Sequence, residues 1–367
     1  MICKHFGECA SCTLYKLSYK EQIEQKLQTI REEFFEFYSG YIDVFTSNEA
    51  NFRDRAEFRV WHEKEKLFYA MNGFEKKKIV KIDECHIVNS KISTLMPKLL
   101  EFIEKNEVLS HKLFGVEFIS ADRVLATFIY HKKVDELWQK EACKLIDKFY
   151  ILPIGRSRGI KAVVKSDFIT QSLNVLGKEY SYKVYENSFM QPNSKVNEKM
   201  LSWAKENSKE FGKDLLELYC GHGNFTIPLS ENFNKVLATE VSKNSIKSAK
   251  ENLELNDIKN VQFARLSSEE FVKALNKERV FRRLEGVNLD SFNFSTIFVD
   301  PPRAGVDKET LKLMQNFKNI IYISCNPKTL KRDLITLTKT HKVEKFAIFD
   351  QFAYTNHLEC GVILSKI

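Results

Sequence analysis

Cys325 stands where a strand hands over to a helix. Residues 319–323 (Asn-Ile-Ile-Tyr-Ile) form an apolar, β-rich run of the kind that parallel sheets bury. Pro327 and the polar residues after it read as a first helical turn, where proline is favoured. The positive end of such a helix would stabilise a thiolate at Cys325. A lone cysteine is by default a small buried core residue. Open α/β sheets, however, bind ligands outside the carboxyl ends of their strands, and this position is one of them. The expectation is a cysteine nucleophile.

Other reactive residue types fall at equivalent places. Glu217-Leu218-Tyr219-Cys220-Gly221-His222-Gly223-Asn224 closes an earlier apolar run, and its two glycines allow a sharp turn and close approach to a ligand. The third glycine of a dinucleotide site is replaced by Thr226. Glu240 ends the next run about 20 residues on, where an acidic side chain can hold ribose hydroxyls. An adenosine ligand without a pyrophosphate fits this pattern, and S-adenosylmethionine is such a ligand. Asp300 leads the stiff Asp300-Pro301-Pro302-Arg303 loop, and Arg303 can pair with phosphate. Glu359 opens the final apolar run as a candidate general base, with His357 and Asp350 as rivals. Cys3, Cys9 and Cys12, with Cys85 as the nearest fourth thiol, suggest a soft-metal or iron–sulfur site. Zinc held by the same cysteines, or with His5 or His86, is the alternative.

Strict strand–helix alternation must position the first group. Strands are expected at 215–219, 235–240, 261–266, 296–299, 320–324, 343–349 and 360–364. Helices separate the first six, which gives the α/β class: a seven-stranded, doubly wound, Rossmann-like sheet over 191–367. The connection before the seventh strand is too short for a parallel crossover, so that strand should run antiparallel. Its first residue then lies at the same end of the sheet as Cys325. Residues 1–190 read as an α+β region, with an amphipathic helix carrying Ile23, Leu27, Ile30, Phe34 and Phe37, and Gly40 as its stop. Strands alternate over 53–82 about an Asn72-Gly73 turn, and a helix covers about 90–106. Strands at 113–119 and 124–130, a helix at 134–149, and strands near 151–154 and 161–164 follow. Arg53, Arg55, Arg59, Lys76, Lys77, Lys78 and Lys81 lie among Phe52, Phe58 and Trp61, a mixture suited to looped RNA.

The bulk composition agrees with a folded protein that meets a polyanion. Lysine and arginine number 57 against 49 acidic residues, a net charge of +8, with 43% hydrophobic residues. No apolar run is long enough to span a membrane, and no export signal opens the chain. A cytoplasmic location is expected, where eight cysteines are not a disulfide framework.

Ser324-Cys325-Asn326-Pro327, Asp300-Pro301-Pro302-Arg303 and His357-Leu358-Glu359-Cys360 together resemble the 5-methyluridine RNA methyltransferases. With RAEFRVWH at 55–62 and GHGNF at 221–225, nearly the whole chain is similar to the tRNA (uracil-5-)-methyltransferase group. The resemblance implies that Gln191, Tyr219, Asn224, Glu240 and Asp300 bind S-adenosylmethionine. It implies Cys325 as the nucleophile and Glu359 as the base in methylation of the T-loop uridine (position 54). The partner would be tRNA, the protein a monomer, and the 1–190 region RNA-binding. Cys3, Cys9, Cys12 and Cys85 resemble the 4Fe–4S set of the related rRNA group, which the tRNA group often lacks. That rRNA group usually adds an N-terminal barrel domain, for which a first cysteine at residue 3 leaves no room. An rRNA substrate is the alternative. Two further readings are an RNA-folding factor with incidental methylation and an amino-directed methyltransferase using the Asp300 loop alone, which leaves Cys325 and Glu359 without roles.

Overall fold

The computed structural model describes residues 3–367. Apolar runs without alternation become the centre of an eight-stranded sheet, because strands covered on both faces need no polar side. Its order is Ile42–Phe45, His341–Phe349, Glu359–Lys366, Asn319–Ser324, Phe294–Val299, Asp214–Leu218, Lys235–Thr239, Val261–Ala264. All seven expected strands are present. Glu359–Lys366 is antiparallel to both neighbours and every other pairing is parallel.

The eighth strand comes from the other end of the chain. Ile42–Phe45 pairs in parallel with His341–Phe349 at the sheet edge. It follows the helix Tyr19–Phe34, whose start is fixed by reciprocal hydrogen bonds between Ser18 and Glu21. Ile30, Phe34 and Ile42 are buried with Phe346 on one face of this sheet. The Phe34 and Phe346 rings meet edge to face at 5.1 Å, and Phe45 stacks on Phe349 at 4.9 Å. Burying each such side chain stabilises by roughly 1.5–3 kcal/mol. Residues 19–45 therefore pack with the large sheet, across the boundary expected near residue 190.

A second sheet, order Ile79–Ile82, Lys66–Asn72, Arg55–Glu63, Leu113–Ser120, Val124–Tyr130, Ile151–Ser157, Ile160–Val163, is mostly antiparallel. Helices Ser90–Glu104 and Glu136–Phe149 close its core through Leu99, Ile103 and Trp138. The tight turn of its first hairpin falls at Lys64, with φ +55, and not at the expected Asn72-Gly73, which instead begins a longer connection. A separate hairpin, Phe168–Val175 with Lys178–Tyr185, was not anticipated. Its alternating burial and the left-handed Leu176-Gly177 pair were visible in the sequence as a period of two and a turn. Among the described residues no helix is long and apolar enough to cross a membrane.

Candidate active site

Backbone geometry places Cys325 at the end of Asn319–Ser324, every residue of which is buried. Asn326 caps the following helix, Pro327–Leu337, by accepting from the Lys328 amide, and Pro327 occupies the first turn as expected. The Asn326 side chain also donates to the Arg303 carbonyl at 3.0 Å, which ties the cysteine turn to the Asp300 loop. That loop is clamped beyond: Asp333 accepts from the Val306 amide and from the Tyr322 hydroxyl. Gly305 has φ +77, and an added Cβ would lie 2.5 Å from the Arg332 guanidinium, so the turn requires glycine.

The antiparallel last strand does what its short connection predicted. Ser324 pairs with Cys360, so Cys325 and Glu359 are the next residues across the ladder. Both line one cavity of about 400 Å³, with Gln191, Tyr219, Asn224 and Asp300. Glu359 is buried, and among the described residues one of its carboxylate oxygens has no hydrogen-bond partner. Burial, reinforced by Asp300, holds its carboxyl well above the usual range. Burial likewise pushes Asp300 up to about 7.

The thiol corrects one expectation. A helix end was to favour the Cys325 thiolate, yet burial, with Glu359 and Asp300 nearby, pushes it up to about 11; Arg303 opposes this only in part. Desolvation and two carboxylates outweigh one partial charge.

At the other end of the cavity, Tyr219 takes φ +62, rare for a residue with a Cβ, and its hydroxyl donates to Ser268. Asn224 and Asn197 exchange side-chain amide hydrogen bonds. Glu240 does not line the cavity wall. Its carboxylate accepts from the Gly221 and Ser242 amides, bridging the glycine turn and the next helix. Sequence reasoning passed over Glu217, which is buried, faces the same cavity and is pushed up to about 8 by burial. One of its oxygens lacks a partner among the described residues. A charge inside Leu215-Leu216-Glu217-Leu218 was the available signal. Open space beside Gly221, the bridging Glu240 carboxylate and the orphaned Glu217 oxygen suit a ligand with an adenosine and an ammonium group.

Cys3, Cys9, Cys12 and Cys85 line a neighbouring cavity of about 540 Å³, which shares Arg303, Phe352 and His357 with the first. Burial and the other three thiols push Cys12 up to about 12, and burial pushes Cys85 up to about 11. The backbone at Ile87 and Val88 acts the other way on Cys85, drawing its pKa down. Among the described residues, no group of three or more histidine, cysteine or acidic side chains is arranged to hold a metal ion. The four thiols nonetheless face one void, with half-buried Arg53 alongside.

The basic and aromatic set is split. Phe52 and Phe58 are core residues and cannot stack on a base. Arg55 pairs with Glu117 and donates to the Ser188 carbonyl at 2.5 Å, so it is engaged within the protein. Arg59, Trp61, Lys76, Lys77, Lys78 and Lys81 stay exposed, and Lys81 pairs with Glu63 and sits 4.6 Å over the Phe68 ring.

A doubly wound parallel sheet with one antiparallel strand, a glycine turn and an acidic strand end beside it define a Rossmann-like methyltransferase. The family model for tRNA (uracil-5-)-methyltransferase matches residues 18–367, and the chain belongs to that family. It is 53% identical over 374 residues to the tRNA/tmRNA (uracil-C(5))-methyltransferase of Aliarcobacter butzleri, covering all of both chains. It is 49% identical over 358 residues to the protein of that name in Acinetobacter baumannii strain ACICU, covering 95% of this chain and 99% of the other. Its fold is similar to the Pyrococcus abyssi tRNA (uracil-54, C5)-methyltransferase solved with S-adenosyl-L-homocysteine. The TM-score is 0.73 at 24% identity, covering 97% of this chain and 86% of that one.

Proposed function

We propose that this protein methylates C5 of the T-loop uridine of tRNA, and of tmRNA as its relatives' names indicate, through a covalent adduct with Cys325. The observation that carries the covalent route is Cys325 beside buried Glu359 across one strand pair at the cavity, one Glu359 carboxylate oxygen lacking a hydrogen-bond partner among the described residues.

Uracil C5 is too weak a nucleophile to take a methyl group unaided. S-adenosylmethionine, when bound, supplies an electrophilic methyl group on a sulfonium. Gln191, Tyr219, Asn224, Glu240 and Asp300 would hold it, and Glu217 would accept from its ammonium. Cys325 and Asp300 ionise more readily beside that cation, since an opposite charge favours the charged form. The Cys325 thiolate adds to C6 of the uridine, and the C5=C6 electrons become an enolate. C5 then bonds to the methyl carbon as the methyl–sulfur bond breaks, leaving S-adenosylhomocysteine. Glu359 removes the C5 proton, the C5=C6 bond re-forms, and the Cys325 thiolate leaves. The uridine must first leave its stack to reach this enclosed cavity.

Residues 1–190 contribute RNA binding, with Trp61 and the exposed basic residues of the second sheet meeting bases and phosphates. The protein works as a cytoplasmic monomer. Methyl transfer to unmodified tRNA, with the product mapped to the T-loop, is the expected result; methylation confined to rRNA overturns the substrate.

Cys3, Cys9, Cys12 and Cys85 would hold a 4Fe–4S cluster bracing the N-terminal segment, with Arg53 offsetting its charge. Protein purified without oxygen should contain about four irons and four sulfides per chain, and Cys12→Ser should lose both. Absence of both from wild-type protein removes the cluster.

A further inference from the structure

Asp350 directly follows the sixth strand of the expected set and begins the connection that delivers Glu359. Its two carboxylate oxygens are taken by separate donors: Lys26 at 2.6 Å and the Tyr19 hydroxyl at 2.8 Å. Lys26 is 6% and Asp350 1% exposed. From there the network spreads. The Tyr19 oxygen accepts from the Ser47 amide, Ser47 accepts from the Asn193 side chain, and the Asn193 amide donates to Gln351. Gln22, on the same helix as Lys26, accepts from the Tyr354 amide within the connection. Two residues before Asn193 lies Gln191, in the cofactor cavity. Lys26 also lines a cavity of about 490 Å³ that Cys325, Arg303 and His357 line too.

A buried ion pair is a poor way to stabilise a fold, because desolvating both charges offsets their attraction. A buried, fully satisfied network does fix geometry, since each member accepts only one arrangement. This one joins the first helix, the Gln191 segment and the 350–358 connection at their meeting point.

We infer that Lys26, Asp350 and Tyr19 are positioning residues for proton removal: they set where the 350–358 connection enters the last strand, and so where Glu359 stands relative to Cys325 and Gln191. The inference rests on the covalent route proposed above. It assigns the first helix, remote in sequence, a part in one chemical step.

The test uses full-length protein, a labelled T-loop RNA and three variants, with Glu359→Gln as the benchmark. Tyr19→Phe removes two hydrogen bonds, the one to Asp350 and the one from the Ser47 amide, but leaves Asp350 paired with Lys26 and no charge stranded, so it folds even if Asp350→Asn does not. Lys26→Met combined with Asp350→Leu keeps the volume without the charges. Each folded variant should lose roughly 10- to 100-fold in kcat, the scale of a misplaced catalytic group. Affinity for S-adenosylhomocysteine and KM for RNA should stay within about twofold, since no ground-state contact is removed. Denaturation-resistant RNA–protein complex should build up toward the level seen with Glu359→Gln. Wild-type kcat in Tyr19→Phe, or a loss carried by KM and cofactor affinity alone, overturns the inference. If Glu359→Gln itself traps no complex, the covalent route fails instead, and the kcat–KM split of Tyr19→Phe still decides the positioning.

Discussion

Replacing Cys325 by alanine yields a protein that folds, binds S-adenosylhomocysteine as the wild type does, and makes no 5-methyluridine. The side chain is half-buried and makes no cap or ladder bond, so its loss leaves the fold intact. The thiolate is the group that turns C5 into a nucleophile, and removing a covalent catalyst costs roughly 10⁴-fold or more. Single-turnover methyl transfer with labelled donor, beside calorimetric binding of S-adenosylhomocysteine, measures both halves. Residual turnover within about tenfold of wild type would sink the covalent route. The pH dependence has a definite sign. Burial raises this thiol to about 11, so below that value the thiolate fraction grows about tenfold per pH unit. Alkylation of Cys325 in the free protein, read by peptide mass mapping, should climb accordingly from pH 7 to 10.

Glu359→Gln should lower turnover by roughly 10²- to 10⁴-fold, the usual worth of a positioned base. Unlike Cys325→Ala, it should stop after methyl transfer. The amide keeps the buried shape but cannot take the C5 proton, so the methylated uridine stays bonded to Cys325. Denaturing gels of protein with labelled RNA should show a slower band that needs S-adenosylmethionine to form. A band that forms equally without the donor would place the block before methyl transfer and reassign Glu359. His357 and Asp350, its rivals in the sequence, are separated from it by their surroundings. Asp350 is saturated by Lys26 and Tyr19, and His357 stacks edge-on against Phe352 with its pKa lowered by burial. Of the three, only the Glu359 carboxylate combines a place in the strand ladder beside Cys325 with an oxygen that has no partner among the described residues.

Much of this site was legible because parallel strands advertise themselves. Strands buried on both faces read as unbroken apolar runs, so 215–219, 296–299 and 320–324 could be placed within a residue or two. Strand ends then nominated Tyr219, Asp300 and Cys325 as neighbours, since parallel strands bring their carboxyl ends to one edge. Even the direction of the last strand followed from chain length, and with it the position of Glu359.

Tertiary structure decided what depends on distances between remote segments. An amphipathic helix shows that it has an apolar face but not which sheet will cover it, so the docking of Tyr19–Phe34 onto the large sheet was not readable. Phe52 and Phe58 looked like stacking platforms because interleaving with arginines does not reveal which face of a strand is buried until register is known. The thiol of Cys325 was expected to ionise easily from its local helix end alone. Desolvation and two carboxylates from other strands reverse that, because a pKa is set by every charge and every solvent molecule within several ångströms, whatever their separation along the chain.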